Sequence, residues 1–564
     1  MRWEISPPDQ DAVARLAREV GVSNLVARLL VLRGIAEPAA AERFLHPALS
    51  HLHDPYRMAD MPAAVARLRQ AIEQQEKILI YGDYDVDGTM AVVVLLTALR
   101  SLGASVDAYI PHRLTDGYGM RVPVIEQAHA EGYHVVLSVD TGIREHEVLE
   151  RARELGLDCI VTDHHLPKDH LPPACAILNP RRADCAYPEK NLSGVGVAFK
   201  LAQALLAERL TERQLESYLK IVCLGTIADV VPLVGENRVI ARFGLAGLRD
   251  PAHPGLAALV AVAGLEGREV TTGDVGFRLA PRLNAAGRME DARDVIELFT
   301  TSDASRARII AERLDGLNRE RQRVEEQILA AIVDEMDRQP EKTECYTLVF
   351  SGEGWHRGVI GIVAQRVVDR YHRAALVIGV EDGLGVGSGR SIRGFHLLDA
   401  LTQASDLFDR FGGHAQAAGF AMAANLIPEL EARFEEHARA VLAPEDLEPT
   451  LRIDAEVGLS DLNWGLYEDL SQLEPFGFGN PTPVFAARGV RVLAPPRVLK
   501  EKHLKLRVAQ GASSFDALGW GMAERSTEIR PGDNVDLAFT LHENCYQGKR
   551  ALQLILKDFC VRVD

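Results

Sequence analysis
The feature that most constrains this chain is a series of short apolar runs, each ending in acidic residues. Lys77–Tyr81 (KILIY) runs into GDYDVDG, which holds Asp83, Asp85 and Asp87. His134–Val139 (HVVLSV) ends at Asp140, and Asp158–Thr162 (DCIVT) ends at Asp163, His164 and His165. Val106–Ile110 and Ala176–Leu178 supply two further runs, and a helical stretch from Thr89 to Leu102 follows the first turn. Continuous apolar strands alternating with helices predict a parallel sheet covered on both faces. In such a sheet the strand ends share one edge, where ligands of open α/β folds bind. Asp229, in GTIADVVPL, follows another apolar run and is a candidate for the same edge.

Five or more converging carboxylates repel one another unless cations neutralise them. Carboxylates with one or two imidazoles suit Mn²⁺ or Mg²⁺. Two such ions about 3.5–4 Å apart can clamp a phosphoryl group during in-line hydrolysis. A calcium loop would need Glu at the twelfth position from Asp83, where Val94 stands. An aspartyl nucleophile in the DxDxV turn would leave Asp140 and the Asp-His-His run unused. Adjacent residues point in different directions, so one of His164 and His165 is expected to serve the substrate or to support a ligand.

The rest of the chain divides further. Residues 1–70 read as short helices broken by Pro38, Pro47, Pro55 and Pro62. Residues 71–303 carry the acidic turns, and 304–338 read as one long helix, with Ile310, Leu314, Leu317, Val324, Ile328 and Ile332 on one side. A second α/β pattern occupies 339–446, and 449–564 show short alternating strands with Gly and Pro, as in a small β-barrel. Seven scattered cysteines without a CxxC pair fit a reducing cytoplasm. The N-terminus lacks a secretory pattern, and the longest apolar stretch, Ala91–Leu99, is too short to span a membrane.

Across these segments the chain resembles the DHH phosphoesterase superfamily, and within it the RecJ family of single-stranded-DNA exonucleases. The superfamily pattern is YGDYDVDG (81–88), SVDTGI (138–143), TDHH (162–165) and GTIADVVPL (225–233). The narrower family pattern adds LHDPYRMADM (52–61), PHRLTDGYG (111–119), LAPRLNAAGRM (279–289), GWHRGVIGIVAQR (354–366), GSGRSIRG (387–394), FGGHAQAAG (411–419) and LEPFGFGNPTPVF (473–485). The resemblance implies a parallel-sheet catalytic domain, a bridging helix, a second α/β domain and an oligonucleotide-binding barrel.

It further implies two divalent ions. Asp83, Asp85 and Asp140 would hold one, and Asp87, Asp140, His164 and Asp229 the other, with Asp140, His164 and His165 at the reacting centre. Ser388, Arg390 and Ser391 would hold a substrate phosphate, and Gly412, Gly413 and His414 would face the metals from the second lobe. Glycines there allow close approach and bare N–H donors, and Arg390 offers a planar fork. Arg278, Arg282 and Arg288, with Asn284, lie in an acid-free stretch and read as a phosphate-contacting wall. His112, Arg113 and Tyr118 are weaker candidates for gripping terminal nucleotides.

The implied activity is 5′-to-3′ degradation of single-stranded DNA to 5′-mononucleotides in recombination and repair. A single-strand-binding protein and a RecQ-type helicase would be partners of a cytoplasmic monomer. Rival readings are a DHH phosphodiesterase of short oligonucleotides or cyclic dinucleotides, and a non-catalytic DNA-binding scaffold. The net charge of −17 argues against a nucleic-acid partner only as a global sum. Between Arg488 and Arg507 the chain is locally +6, with Arg497, Lys500, Lys502, Lys505 and Arg507 as candidate strand contacts. Phe476, Phe478 and Trp520 are candidate stacking residues, although loop packing accounts for the first two equally well.

Overall fold
A computed structural model describes residues 1–113, 117, 119–546 and 548–562. Tyr118 lies outside the described residues. Two compact units result. One comprises His53–Asp229 and Phe243–Pro449, and the other Met1–Leu52, Val230–Arg242 and Thr450–Asp564. The stretch read as residues 1–70 is therefore divided. Its first part packs with the barrel, because Leu16, Leu29, Leu30 and Phe44 are buried in one core with Phe485, Leu537 and Phe559.

In the first unit, a five-stranded parallel sheet runs in the order Ser105–Tyr109, Lys77–Tyr81, Tyr133–Val139, Asp158–Thr162, Ala176–Leu178. The expected strands are all present. Burial of Ile78, Ile80, Val136 and Ile160 explains their unbroken apolar character. The helix after the first strand begins earlier than its apolar pattern, at Val86, because Asp85 caps it by accepting from the Gly88 N–H at 3.0 Å. Asp87 thereby falls in the first helical turn. The helix Gly194–Leu206, capped by Ser193, packs on the same side and is almost wholly buried. Within it Lys200 is buried, and its Nζ donates to the His53 carbonyl at 2.7 Å.

The long helix Ala304–Arg338 leads into a mixed five-stranded sheet, ordered Arg410–Gly413, Ala417–Ala423, Leu384–Arg390, Ala374–Glu381, Thr347–Glu353. Only the last pair is parallel. In the second unit a seven-stranded sheet curls so that Phe485–Val492 pairs with both Asn534–Tyr546 and His503–Gln510, which closes the barrel. Among the described residues no helix is long and apolar enough to cross a membrane.

Candidate metal centre
The edge of the parallel sheet gathers the acids that the strand ends supply. Asp140 leaves its strand with φ 58°, a left-handed conformation rare for a residue with a Cβ. Its backbone N–H donates to the Thr162 carbonyl at 2.9 Å, which fixes it to the neighbouring strand end. His164 Nε2 lies 3.2 Å from Asp140 Oδ1, 3.6 Å from Asp229 Oδ2 and 3.9 Å from Asp87 Oδ2. Asp87 is held from outside by the start of the Gly194–Leu206 helix, whose Gly194 and Val195 N–H groups donate to it at 2.6 and 2.9 Å.

Three sets of donor atoms each fall within 4.8 Å of one another: Asp83, Asp85 and Asp140; Asp87, His164 and Asp229; and Asp140, His164 and His165. Asp140 belongs to two of them. Among the described residues, Asp83 Oδ1, Asp140 Oδ1 and His164 Nε2 are buried without a hydrogen-bond partner. Burial, and then the charge of Asp85, pushes Asp83 up to about 8 and Asp87 up to about 7. Burial and Asp87 push Asp229 up to about 9, and burial with the surrounding acids holds Asp140 well above the carboxylate range. Burial and the neighbouring His165 lower His164 to about 3, so its ring is a neutral donor. Buried, unsatisfied, hard oxygen donors with one neutral imidazole fit divalent cations.

Asp163 behaves differently from the other acids. Its Oδ1 accepts from the His164 and His165 N–H groups and from His165 Nδ1 at 2.7 Å, and its Oδ2 accepts from Ile143 N–H. Burial opposes its ionisation, but the His165 hydrogen bond and charge outweigh that and hold it at about 2. It orients the His165 ring through Nδ1.

Two glycines make the packing possible. A Cβ on Gly194 would come within 2.5 Å of Asp140 Oδ1, and one on Gly225 within 2.9 Å of Asp87 Oδ1. Gly225 opens the GTIADVVPL motif and Gly194 follows a Ser N-cap in LSGVGV, but neither is a candidate site residue from the sequence.

A cavity of about 270 Å³ opens beside the acids. Asp83, Asp85, Asp87 and Asp229 form one wall, and Tyr84, Arg113, Asn284 and Arg288 another. The Arg113 guanidinium lies 5.0 Å from the Tyr84 ring centre. Asn284 Oδ1 accepts from Val86 N–H at 3.2 Å and so braces the acidic turn. Arg288 donates to the Gly358 carbonyl at 3.1 Å. Burial, then Arg113, Arg321 and Arg390, pushes it down to about 9.

Arg278 and Arg282 do not line this cavity. Arg278 donates to Asp274 and to the carbonyls of Ala263 and Gly264. Arg282 donates to Asp315 at 2.9 Å and to the Arg278 carbonyl. Helical phase turns them away while presenting Arg288, the third arginine of the same stretch. His112 is half-buried and does not line this cavity.

The second lobe places Ser388, Gly419 and Gly412 in one row across three strands. Arg390 donates to Ser388 Oγ at 3.3 Å, and burial followed by the charge of Arg113 lowers it. Ser391 is buried, with its hydroxyl donating to the Phe395 carbonyl at 2.7 Å. Gly413 ends the edge strand, and His414 beyond it is lowered by burial and by Arg144 and His165. The second lobe's His414 therefore sits within electrostatic reach of the metal-side His165.

In the barrel, part of the positive run is neutralised by acids from other strands. Lys505 and Arg507 pair with Asp516, and Arg488 with Glu456 and Asp536. Among the described residues Arg497, Lys500 and Lys502 make no ion pair. Phe476 packs against the barrel core, whereas Phe478 and Trp520 are exposed, Trp520 edge-on to His503.

Comparison with known proteins agrees with this architecture. Residues 77–226 match the DHH family N-terminal domain, 342–440 the DHHA1 domain and 453–558 the RecJ OB domain. The chain is 39% identical over 565 aligned residues to the single-stranded-DNA-specific exonuclease RecJ of Bacillus subtilis, covering 100% of this chain and 71% of that one. It superposes on RecJ from Thermus thermophilus in complex with Mn²⁺ with a TM-score of 0.85 at 32% identity, covering 100% of this chain and 80% of that one. For the Mg²⁺ complex the TM-score is 0.78 at 29% identity, with 100% and 79% covered. The chain belongs to the RecJ family of single-stranded-DNA-specific exonucleases.

Proposed function
We propose that this chain removes 5′-mononucleotides in the 5′-to-3′ direction, with the acids of the sheet edge as its metal ligands. It is a metal-dependent exonuclease of single-stranded DNA, and its cofactor is a divalent cation, Mn²⁺ or Mg²⁺. The observation that carries the site assignment is the membership of Asp140 in two of the three donor groups, whose atoms each lie within 4.8 Å of one another.

In this reading Asp83, Asp85 and Asp140 hold one ion, and Asp87, Asp140, His164 and Asp229 the other. When bound, the ions activate a water molecule and offset charge on the phosphoryl group. The chain's own residues do the rest. Asp163 fixes the orientation of the His165 ring through Nδ1, which positions it beside the reacting phosphate. Arg113 and Arg288 meet the substrate from the far wall of the cavity, and their planar forks suit phosphate. Ser388, Arg390, Gly412, Gly413 and His414 bind the terminal phosphate from the second lobe. Arg497, Lys500 and Lys502 contact the strand on the barrel. A duplex would have to be opened first, which makes a RecQ-type helicase and a single-strand-binding protein the expected partners. The work is recombination and repair in the cytoplasm, by a monomer.

Asp140→Ala tests the assignment, because it removes the residue shared by two donor groups. Cleavage of single-stranded DNA should be abolished while strand binding stays within a few-fold of wild type. A variant with near-normal turnover would refute the shared role of Asp140.

A further inference from the structure
The segment Thr272–Met289 is one continuous helical run with a widened, five-residue π-type turn at Val275–Leu279. Such turns insert one residue into a helix and recur at functional sites. Here Val275 and Leu279 are buried while Phe277, between them, is 87% exposed. No other large apolar side chain among the described residues is so open. The space beside it is also clear, since a Cβ on Gly276 would meet nothing within 4 Å.

Phe277 is not an isolated surface residue in its own helix. Phe277, Pro281, Asn284 and Arg288 follow one another at spacings of four, three and four, which is one stripe of a helix. The stripe ends in the cavity, whose wall includes Asn284 and Arg288. Phe277 lies about 10 Å from Asn284 along the axis and about 16 Å from Arg288, at 1.5 Å per residue. Arg278 and Arg282 flank it, but Asp274 and Asp315 hold their guanidinium groups. The approach to the cavity along this stripe is therefore apolar and aromatic, which suits the face of a nucleobase rather than a phosphate.

We propose that Phe277 is a stacking platform for a base of the single strand that leads to the cavity, within about five nucleotides of the cleaved end at ~3.4 Å per stacked nucleotide. The proposal rests on the single-stranded-DNA reading above. The ring offers a π-face that every base can use, so the contact would hold the strand without reading its sequence. The clamp of Arg278 on Asp274 and on the Ala263 and Gly264 carbonyls fixes the widened turn and keeps the ring outside.

The test is equilibrium binding of 5′-phosphorylated, 3′-fluorescein-labelled (dT)₁₀ in EDTA, with one abasic residue moved along the first six positions. For the wild-type chain, an abasic residue at one position, or two adjacent ones, should weaken binding by about 5- to 100-fold, as expected when one base–aromatic stack is lost. Phe277→Ala should weaken binding of the intact strand by a similar factor and be indifferent to the abasic residue there. Phe277→Trp should restore position sensitivity, and Phe277→Leu, apolar but without a π-face, should not. Phe277→Ala binding within two-fold of wild type, or Phe277→Leu binding as wild type does, overturns the inference. If the wild-type chain binds and cleaves the intact strand, such a result leaves the exonuclease reading standing. A wild-type chain that binds no single strand overturns both.

Discussion

Gly194→Ala separates the metal centre from the stability of the fold. Gly194 is the first residue of a helix capped by Ser193, where alanine is ordinarily the better helix former by about 1 kcal/mol. Propensity alone therefore predicts a small gain in stability. The added Cβ, however, would lie 2.5 Å from Asp140 Oδ1 and 2.7 Å from its Cβ and Cγ. Ordinary contact begins at 3.4 Å, so the Asp140 carboxylate must move by about 0.9 Å. It cannot take its backbone along, because its N–H is tied to Thr162 and its φ is already 58°. The Gly194 N–H also donates to Asp87 at 2.6 Å, so backing the helix away would loosen a second acid. A misplacement of about 1 Å costs on the order of 100-fold in rate. Mn²⁺ affinity by calorimetry and single-strand cleavage should both fall by about that factor, while the melting temperature of the metal-free protein is unchanged or slightly raised. Wild-type metal affinity with wild-type turnover would refute the close packing of helix start against ligand. A collapse in melting temperature would refute the separation of site from fold.

Two further outcomes follow from the same structure. Arg238 is buried and donates to the carbonyls of Phe44, Gln472, Leu473, Glu474 and Pro475. Arg238→Ala should destabilise the barrel-containing unit by about 3–5 kcal/mol, because several buried acceptors lose their donor, and denaturant unfolding followed by tryptophan fluorescence would show it. The acids supply a pH prediction. Asp83, Asp87 and Asp229 are raised to about 8, 7 and 9, so between pH 4 and 9 the folded metal-free chain holds protons that the unfolded chain has lost. Its stability should fall as pH rises through that window. Saturating Mn²⁺ should abolish the fall and release protons on binding at pH 7, which calorimetry in buffers of different ionisation enthalpy would register.

The parallel sheet and its acids were legible in the sequence because burial on both faces leaves unbroken apolar strands, and each strand end is marked by its Asp. The helix Ala304–Arg338 was equally plain, since Ile310, Leu314, Ile328 and Ile332 keep helical spacing and are all buried. Four things were hidden, each for a physical reason. Asp163 looks like its fellow acids, yet its carboxylate is consumed by its own neighbours His164 and His165, which only the folded turn reveals. Arg278, Arg282 and Arg288 look alike in sequence, but helical phase across a widened turn sends only Arg288 into the cavity. The positive run of the barrel is reduced by Asp516 and Asp536, which lie outside that run and reach it through strand pairing. The packing of Met1–Leu52 with Thr450–Asp564 is likewise a long-range event with no local signature.

The most direct test of the central claim is a time course with 5′- and 3′-end-labelled DNA, single-stranded and duplex, in Mn²⁺, in Mg²⁺ and in EDTA. Labelled mononucleotide should be released at once from the 5′-labelled single strand and the 3′-labelled one should shorten progressively, with little attack on blunt duplex and none in EDTA. Release beginning at the 3′ label would contradict the polarity, and cleavage that persists in EDTA would contradict the metal centre itself.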